Sequence, residues 1–211
     1  MIYDITIPIR NETPVWTGDK EVSIQRDRTI AAGADYNVSL LEMGVHTGTH
    51  IDAPFHVNDA GRTVDQIPLE QLIGRAQVVA VPEEVPSISA EFLADCGLWT
   101  GVERVLFKTR NSDFWNDQPC RFREDFIGVD ASGANWLAAH GILLAGIDWF
   151  SISPMQDLKA PHEILLGVGA IILENLDLRQ VPAGIYELIC LPLKLTGTDG
   201  APVRAILRDD V

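Results

Sequence analysis

The residues of this chain that could do chemistry are concentrated between positions 46 and 56, where the sequence reads HTGTHIDAPFH. Three of the five histidines, His46, His50 and His56, lie here together with Asp52. Imidazole and carboxylate groups are the ligands that zinc, manganese and iron take in proteins. Single histidines are usually surface or hydrogen-bonded residues, but four ligand-type residues so close together favour a metal site.

The backbone of this stretch must bend if its side chains are to share a metal. Four extended residues span roughly 13 Å, whereas the ligands of one metal lie about 2 Å from it. The chain must therefore fold back between His46 and His50, and Gly48 has the conformational freedom for that bend. Pro54 disfavours a regular helix, because the residue before a proline avoids the α region. We expect a bent loop at the end of a strand.

Composition limits the class of protein. The 211 residues, 46% of them hydrophobic, are enough for one globular domain with a sizeable core. A net charge of −14 argues against nucleic acid or an anionic membrane as partner. Three widely spaced cysteines are typical of free thiols in the cytoplasm rather than of a disulfide framework. We expect neither a signal peptide nor a membrane span.

Strands and helices alternate along the chain without a strict rhythm. Apolar runs predict strands over residues 2–7, 22–30, 37–45, 77–81, 104–108, 142–147, 170–173, 186–195 and 202–207. Capping and breaking residues predict helices over 68–73 (closed by Gly74), 90–96 (capped by Ser89), 132–140 (capped by Ser132) and 161–167. Residues 110–128 are predicted to be a loop with aromatic anchors. Without a repeat or a linker, residues 1–211 are predicted to form one α/β domain.

Three residues outside the histidine-rich stretch are candidates for the site. Trp16 lies among turn formers and is either a core residue or the aromatic wall of a pocket. His162 is predicted at the start of a helix, exposed to a cleft. Glu174 ends an apolar strand, where either a ligand or an ordinary exposed terminus is natural. His140, in the last turn of a helix, is given a structural role.

The segment from His46 to His56 resembles the signature of the metal-dependent cyclase family, which includes bacterial kynurenine formamidases and isatin hydrolases. The similarity covers nearly the whole chain, including residues 14–19 around Trp16 and the segments 182–193 and 202–205. It implies an α/β, single-domain, swivelling β/β/α cyclase-like fold and a homodimer. One departure is Glu163, which stands where formamidases often carry a second histidine.

The resemblance also implies a set of metal ligands. His46, His50 and Asp52 would hold one divalent metal, and Asp52 would bridge to a second one held by His162 and Glu174. A carboxylate has two oxygens and can bridge, whereas an imidazole does so with difficulty. The ligand set suits two metals per chain, zinc or manganese.

The implied reaction is the hydrolysis of an aromatic amide. His56 is left without a metal, and it is the expected general base and acid because histidine is the residue type most often used for proton transfer at neutral pH. Hydroxide generated at the metals would cleave N-formylkynurenine to kynurenine and formate, with Trp16 contacting the substrate. The alternative is the opening of a cyclic amide such as isatin. A metal-binding protein without turnover is disfavoured, because it would not need His56.

Overall fold

The computed structural model describes residues 1–209, which form an α/β fold built on a sheet that closes on itself. The strands are β1 (Ile2–Asp4), β2 (Ser23–Arg28), β3 (Val38–Glu42), β4 (His50–Asp52), β5 (Ile73–Ala80), β6 (Arg104–Lys108), β7 (Leu144–Ile147), β8 (Ile171–Glu174), β9 (Gly184–Pro192) and β10 (Gly200–Asp209). The helices are α1 (Leu69–Leu72), α2 (Ala90–Asp95), α3 (Ala131–Ala139) and α4 (Ala160–Gly167).

The large sheet is barrel-like because its last strand pairs on both sides. Its order is β1-β10-β4-β8-β7-β6-β5-β9, and β9 pairs again with β10, so that only β1 lies outside the closed ring. Strands β5 to β8 are parallel neighbours. Helices α2, α3 and α4 connect them, as parallel pairing requires. Strand β4 is inserted antiparallel between β8 and β10.

Strands β6, β7 and β8 are buried on both faces. Leu106 on β6 and Leu173 on β8 belong to an apolar cluster to which all seven barrel strands contribute, and which therefore fills the barrel. Phe107 and Ile172, their neighbours in sequence, point the other way into a second cluster with helices α2 to α4. Successive side chains of a strand alternate between faces, so continuous apolar runs are what such strands need.

Two predicted helix ends differ from the structure. Gly74 does not close a helix but lies within β5, where a side chain would meet the guanidinium of Arg104 at 2.9 Å. Helix α3 is capped by Asp130, which accepts a hydrogen bond from the Gly133 backbone at 2.9 Å. Ser132, the predicted cap, instead lies in the first turn and donates to Asp130. Asp130 and Ser132 both have acceptor oxygens near the start of the helix, and the Asp130 carboxylate is the group that caps it.

The irregular segment after β6 is held by a buried carboxylate. It begins with a 3₁₀ helix at Arg110–Asn116, and its aromatic residues pack in a third cluster, as predicted. Asp148, directly after β7, accepts hydrogen bonds from the backbone and hydroxyl groups of Thr109 and Ser112 at 2.6–3.1 Å. Its own carbonyl accepts from the Trp115 indole. Burial raises the pKa of Asp148 to about 6, and the hydrogen bonds from Ser112 and Thr109 oppose that rise.

Replacing Asp148 with asparagine should destabilise the protein by roughly 2–3 kcal/mol, because an amide NH₂ would face buried donors that then lack an acceptor. The measurement is urea unfolding of the purified protein. Asp113→Asn, on the exposed side of the same 3₁₀ helix, is the matched control and should change stability by less than about 0.5 kcal/mol. Equal stability of both variants would show that the Asp148 network contributes little.

Candidate metal centre

The predicted bend lies between His46 and His50, and the structure places it at Gly48. Gly48 has φ +71°, a left-handed conformation in which other residues are strained. The chain then does not continue as a loop, because His50 to Asp52 form the strand β4. Within β4, His50 and Asp52 share one face while Ile51 points into the barrel core. Pro54–His56 follows as a single 3₁₀ turn.

Strand register brings the distant ligand candidates to the same place. His50 lies opposite Glu174, the last residue of β8, in the antiparallel pairing of β4 with β8. His162 lies in the first turn of α4, which leads into β8. It was expected to be exposed to the cleft. It does line the cleft, but its side chain is only 11% exposed. All five residues implied as ligands therefore meet at the ends of β4 and β8.

Asp52 lies between two groups of ligand atoms. One carboxylate oxygen is 2.8 Å from His46 Nδ1 and 3.4 Å from His50 Nε2. The other is 3.7 Å from His162 Nε2. Glu174 spans the same two groups, with Oε2 3.4 Å from His50 Nε2 and Oε1 3.3 Å from His162 Nε2. Each group thus offers three ligand atoms, and both carboxylates have an oxygen on either side.

The imidazoles are oriented by backbone carbonyls. His50 donates from Nδ1 to the Gly48 carbonyl, and His162 donates from Nδ1 to the Leu158 carbonyl, each at 2.8 Å. Each ring therefore presents its Nε2 atom to the centre, as metal-binding histidines do. His50 Nε2 and Asp52 Oδ2 are buried without a hydrogen-bond partner in the described part of the chain. Such orphaned groups are costly, and a divalent cation would satisfy both.

Carboxylates and imidazoles shift one another's pKa values strongly. Burial lowers the pKa of His50, but the carboxylates of Asp52 and Glu174, each 3.4 Å from its Nε2, outweigh that effect and raise the pKa to about 10. The pKa of His162 is raised to about 9 against the same effect of burial, chiefly by Glu174. Burial raises the pKa of Asp52, yet His46 and His50 hold it well below its usual range. The carboxylates are therefore ionised and available to a cation.

His56 lies beside these groups and contacts a residue that sequence reasoning missed. Its ring centroid is 4.4 Å from that of His46, and its side chain is 35% exposed towards the cleft. Its Nδ1 is 3.3 Å from Asp199, which also lies 2.7 Å from His46 Nε2. Asp199 immediately precedes β10, and in the sequence it looks like an ordinary turn residue.

A cleft of about 550 Å³ opens over the cluster and has aromatic residues on one side. Trp16, which was either a core or a pocket residue by sequence, is half-buried and lines this cleft. Phe150, which was not predicted, lines it too. Phe122 contacts both rings edge-on, with centroid distances of 4.8 and 5.2 Å. Glu163 lies at the mouth, 3.3 Å from Lys159 Nζ.

His140 lies outside this cluster. Its ring stacks on Trp136 with a centroid distance of 3.5 Å, and its Nδ1 donates to the Trp136 carbonyl. It is far from the cleft-lining residues, in the C-terminal turn of α3. Its contacts agree with the structural role predicted for it.

Comparison with known proteins identifies the class of protein. The profile of the family described as putative cyclase matches residues 3–154. Because this match covers more than half of the residues, the chain belongs to the cyclase family. The resemblance noted in the sequence, and the cyclase-like α/β fold that it implied, are thereby confirmed.

Individual relatives cover the chain almost completely. It is 39% identical to a kynurenine formamidase of Salinibacter ruber (strain DSM 13855 / M31), over 99% of this chain and 97% of the relative. The solved structure of a potential metal-dependent hydrolase with cyclase activity has a TM-score of 0.85 and 37% identity. The match covers 100% of this chain and 98% of that structure. Isatin hydrolase A of Labrenzia aggregata has a TM-score of 0.84, and the match covers 100% of this chain and 94% of that structure. At 23% identity, this match shows only that the two proteins share a fold.

On the two-metal hypothesis, Asp52→Ala should abolish metal binding, because Asp52 belongs to both groups of three ligand atoms. Metal analysis of the purified wild-type protein should find about two equivalents per chain, and the variant should contain almost none. Asp59→Ala, an exposed acid in the following turn, is the control and should keep the metal. A folded Asp52→Ala protein with full metal content would contradict the bridging role.

Proposed function

We propose that this protein is a metal-dependent amide hydrolase that cleaves N-formylkynurenine to kynurenine and formate. The observation that carries the proposal is the five-residue ligand cluster at the floor of an aromatic-walled cleft, with His56 beside it. The 39% identity to a kynurenine formamidase over nearly the full length supports the choice of reaction.

The proposed metal sites follow the two groups of ligand atoms. His46, His50 and Asp52 would hold one divalent ion, and Asp52, His162 and Glu174 the other. The nitrogen and oxygen donors suit zinc or manganese. Bound there, the metals would lower the pKa of water to about 7 and polarise the carbonyl of the substrate.

His56 is proposed to move the proton. Its Nδ1 is engaged by Asp199, so Nε2 is the nitrogen available to the cleft. At Nε2 it would take a proton from the attacking water and return it to the nitrogen of the leaving amine. No serine or cysteine nucleophile is needed for this scheme.

The walls of the cleft fit an aromatic substrate with an amino-acid side arm. Trp16 and Phe150 offer ring surfaces for an aryl group. Lys159 and Glu163, paired at the mouth, present one charge of each sign, which matches the carboxylate and ammonium of N-formylkynurenine. The pairing also offsets the negative charge that Glu163 would otherwise direct at an anionic substrate. Isatin carries neither group, so this observation favours the formamidase reaction.

The test of the proposed function is a substrate panel with metal-loaded protein. The specificity constant kcat/KM should be highest for N-formylkynurenine, lower for an aryl formamide without the amino-acid arm, and lowest for isatin. Efficient opening of isatin with no cleavage of N-formylkynurenine would replace the proposal by the cyclic-amide alternative. Turnover of none of the three would favour a metal-binding protein.

His56→Ala should keep its metals yet lose turnover by a factor on the order of 10²–10⁴, the usual contribution of a general base. Metal analysis and kcat for the best substrate are measured on the same preparation. His140→Ala is the control, since His140 lies on the protein surface away from the cleft. Loss of metal from His56→Ala would show that His56 is a ligand instead.

Trp16→Ala should raise KM for an aryl formamide roughly tenfold or more, because ring stacking and apolar burial are both lost. Metal content should stay unchanged, and kcat should fall less than in His56→Ala. Trp136→Ala, which removes an indole outside the cleft, is the matched control. An unchanged KM in Trp16→Ala would remove Trp16 from the substrate site.

We further propose a homodimer formed through the β2–β3 hairpin. The two strands make a separate sheet, and Val38, Leu40 and Leu41 on β3 are 41–59% exposed. Val38 and Leu40 share one face of the strand, with Leu41 on the other, and exposed apolar side chains grouped in this way are typical of protein interfaces. Residues 1–211 are proposed to be one domain per subunit, because β1 and β10, from opposite ends of the sequence, pair in one sheet.

Light scattering should give twice the 23.2 kDa chain mass for the wild-type protein. The double variant Leu40→Glu/Leu41→Glu should be monomeric, because it places charges in the proposed interface. Leu69→Glu, at an exposed leucine on α1, is the control and should stay dimeric. A dimeric double variant would show that the hairpin is not the interface.

A cytoplasmic location is also proposed. All three cysteines, Cys96, Cys120 and Cys190, are free thiols, which agrees with a reducing compartment. Among the described residues, no helix has the length and apolar character needed to cross a membrane.

A further inference from the structure

We propose that Asp199 is a positioning residue that orients His56 and sets the tautomer of that ring, through a carboxylate oxygen that also contacts His46. The proposal rests on the proposed function of His56. Asp199 Oδ2 lies 2.7 Å from His46 Nε2 and 3.3 Å from His56 Nδ1. No other side chain in the described part of the chain is hydrogen-bonded to His56, so Asp199 alone orients that ring.

The fold fixes Asp199 at this point. Its backbone carbonyl accepts a hydrogen bond from Ala53 N at 2.8 Å, and the next residue, Gly200, pairs with Asp52 in the β4–β10 ladder. A Cβ atom at Gly200 would lie 2.6 Å from the His46 ring, so only glycine lets β10 pass so close to the imidazole. The backbone that carries Asp199 is therefore held by the same strand that carries the ligand candidates.

An ionised carboxylate accepts hydrogen bonds and cannot donate them. His46 therefore donates from Nε2 to Asp199, and in the metal-free protein its Nδ1 donates to the equally ionised Asp52 at 2.8 Å, so Asp199 does not select a tautomer of this ring. By the same rule His56 must carry its proton on Nδ1, which leaves Nε2 as the base in the cleft. One oxygen atom thus keeps the two rings in fixed relation and prepares His56 to accept a proton at Nε2.

A competing role for Asp199 is direct metal ligation. His46, His56 and Asp199 also offer three ligand atoms within 4.8 Å of one another. A metal there would occupy the Nε2 atom of His46, although the Nδ1 atom of that ring already faces the buried cluster. The Asp199 side chain is 40% exposed, whereas Asp52 is 1% exposed. These differences favour an orienting role for Asp199, and metal analysis separates the two.

The test is Asp199→Asn, which keeps the shape of the side chain but supplies only one acceptor oxygen. Metal content should stay at the wild-type level, while kcat for the best formamide falls by a factor on the order of 10² or more and KM changes less than about threefold. The double variant Asp199→Asn/His56→Ala should be no slower than His56→Ala alone, because Asp199 acts through His56. Asp59→Asn, with the same change of charge, should match the wild type.

A second readout does not depend on turnover. Nitrogen-15 NMR of the metal-free protein should show His56 with its proton on Nδ1, and Asp199→Asn should convert it to a mixture of tautomers. Loss of metal from Asp199→Asn would make Asp199 a ligand and overturn the proposal. Unchanged kcat and an unchanged tautomer would also overturn it, with the proposed function intact. If the wild-type protein cleaves no amide, the proposed function fails, and the tautomer measurement still decides the role of Asp199.

Discussion

The structure depends on the compensation of two carboxylates, Asp52 and Glu174, that are buried side by side. Each raises the free energy of the other's charge, and burial alone would keep both protonated. His50 lies within 3.4 Å of both, and His46 and His162 close the two sides. This charge pattern is stable only if the three rings and the two acids are held together. The pairing of β4 between β8 and β10 provides that rigidity.

The residues of the segment from His46 to His56 have separate structural roles, and these roles explain why their spacing is so specific. Gly48 turns the chain so that His46 returns towards the strand, and β4 then aims His50 and Asp52 from one face. Pro54 ends the strand and starts the 3₁₀ turn that places His56 over the cleft. Gly48 and Pro54, which lie between the ligand candidates, therefore have backbone roles, and the contiguous segment supplies both the floor and one edge of the site.

Much of the fold and of the candidate site could be predicted from the sequence, but the contacts that depend on strand register could not. Helix α4 and strand β6 were predicted within one residue, because local caps and apolar runs define them. Glu174 was ambiguous until β8 placed it opposite His50. Asp199 and Phe150 were missed: a contact such as that between Asp199 and His46 spans 153 residues of chain, and no local pattern marks it. The sequence predicted Ser132 as the cap of α3, whereas the structure has Asp130. Both side chains are good acceptors of a capping hydrogen bond, so the local sequence did not distinguish them.

The position of β10 in the barrel has a consequence for how the protein is made. All five ligand candidates precede residue 175, so a growing chain presents them to solution long before β10 is synthesised. Strand β4 has its second neighbour, and the barrel its closing seam with β9, only when Gly200–Asp209 has emerged. Pairings over such sequence distances form late in folding. The side chains of the site therefore reach their final arrangement only when the last strand of the barrel has paired.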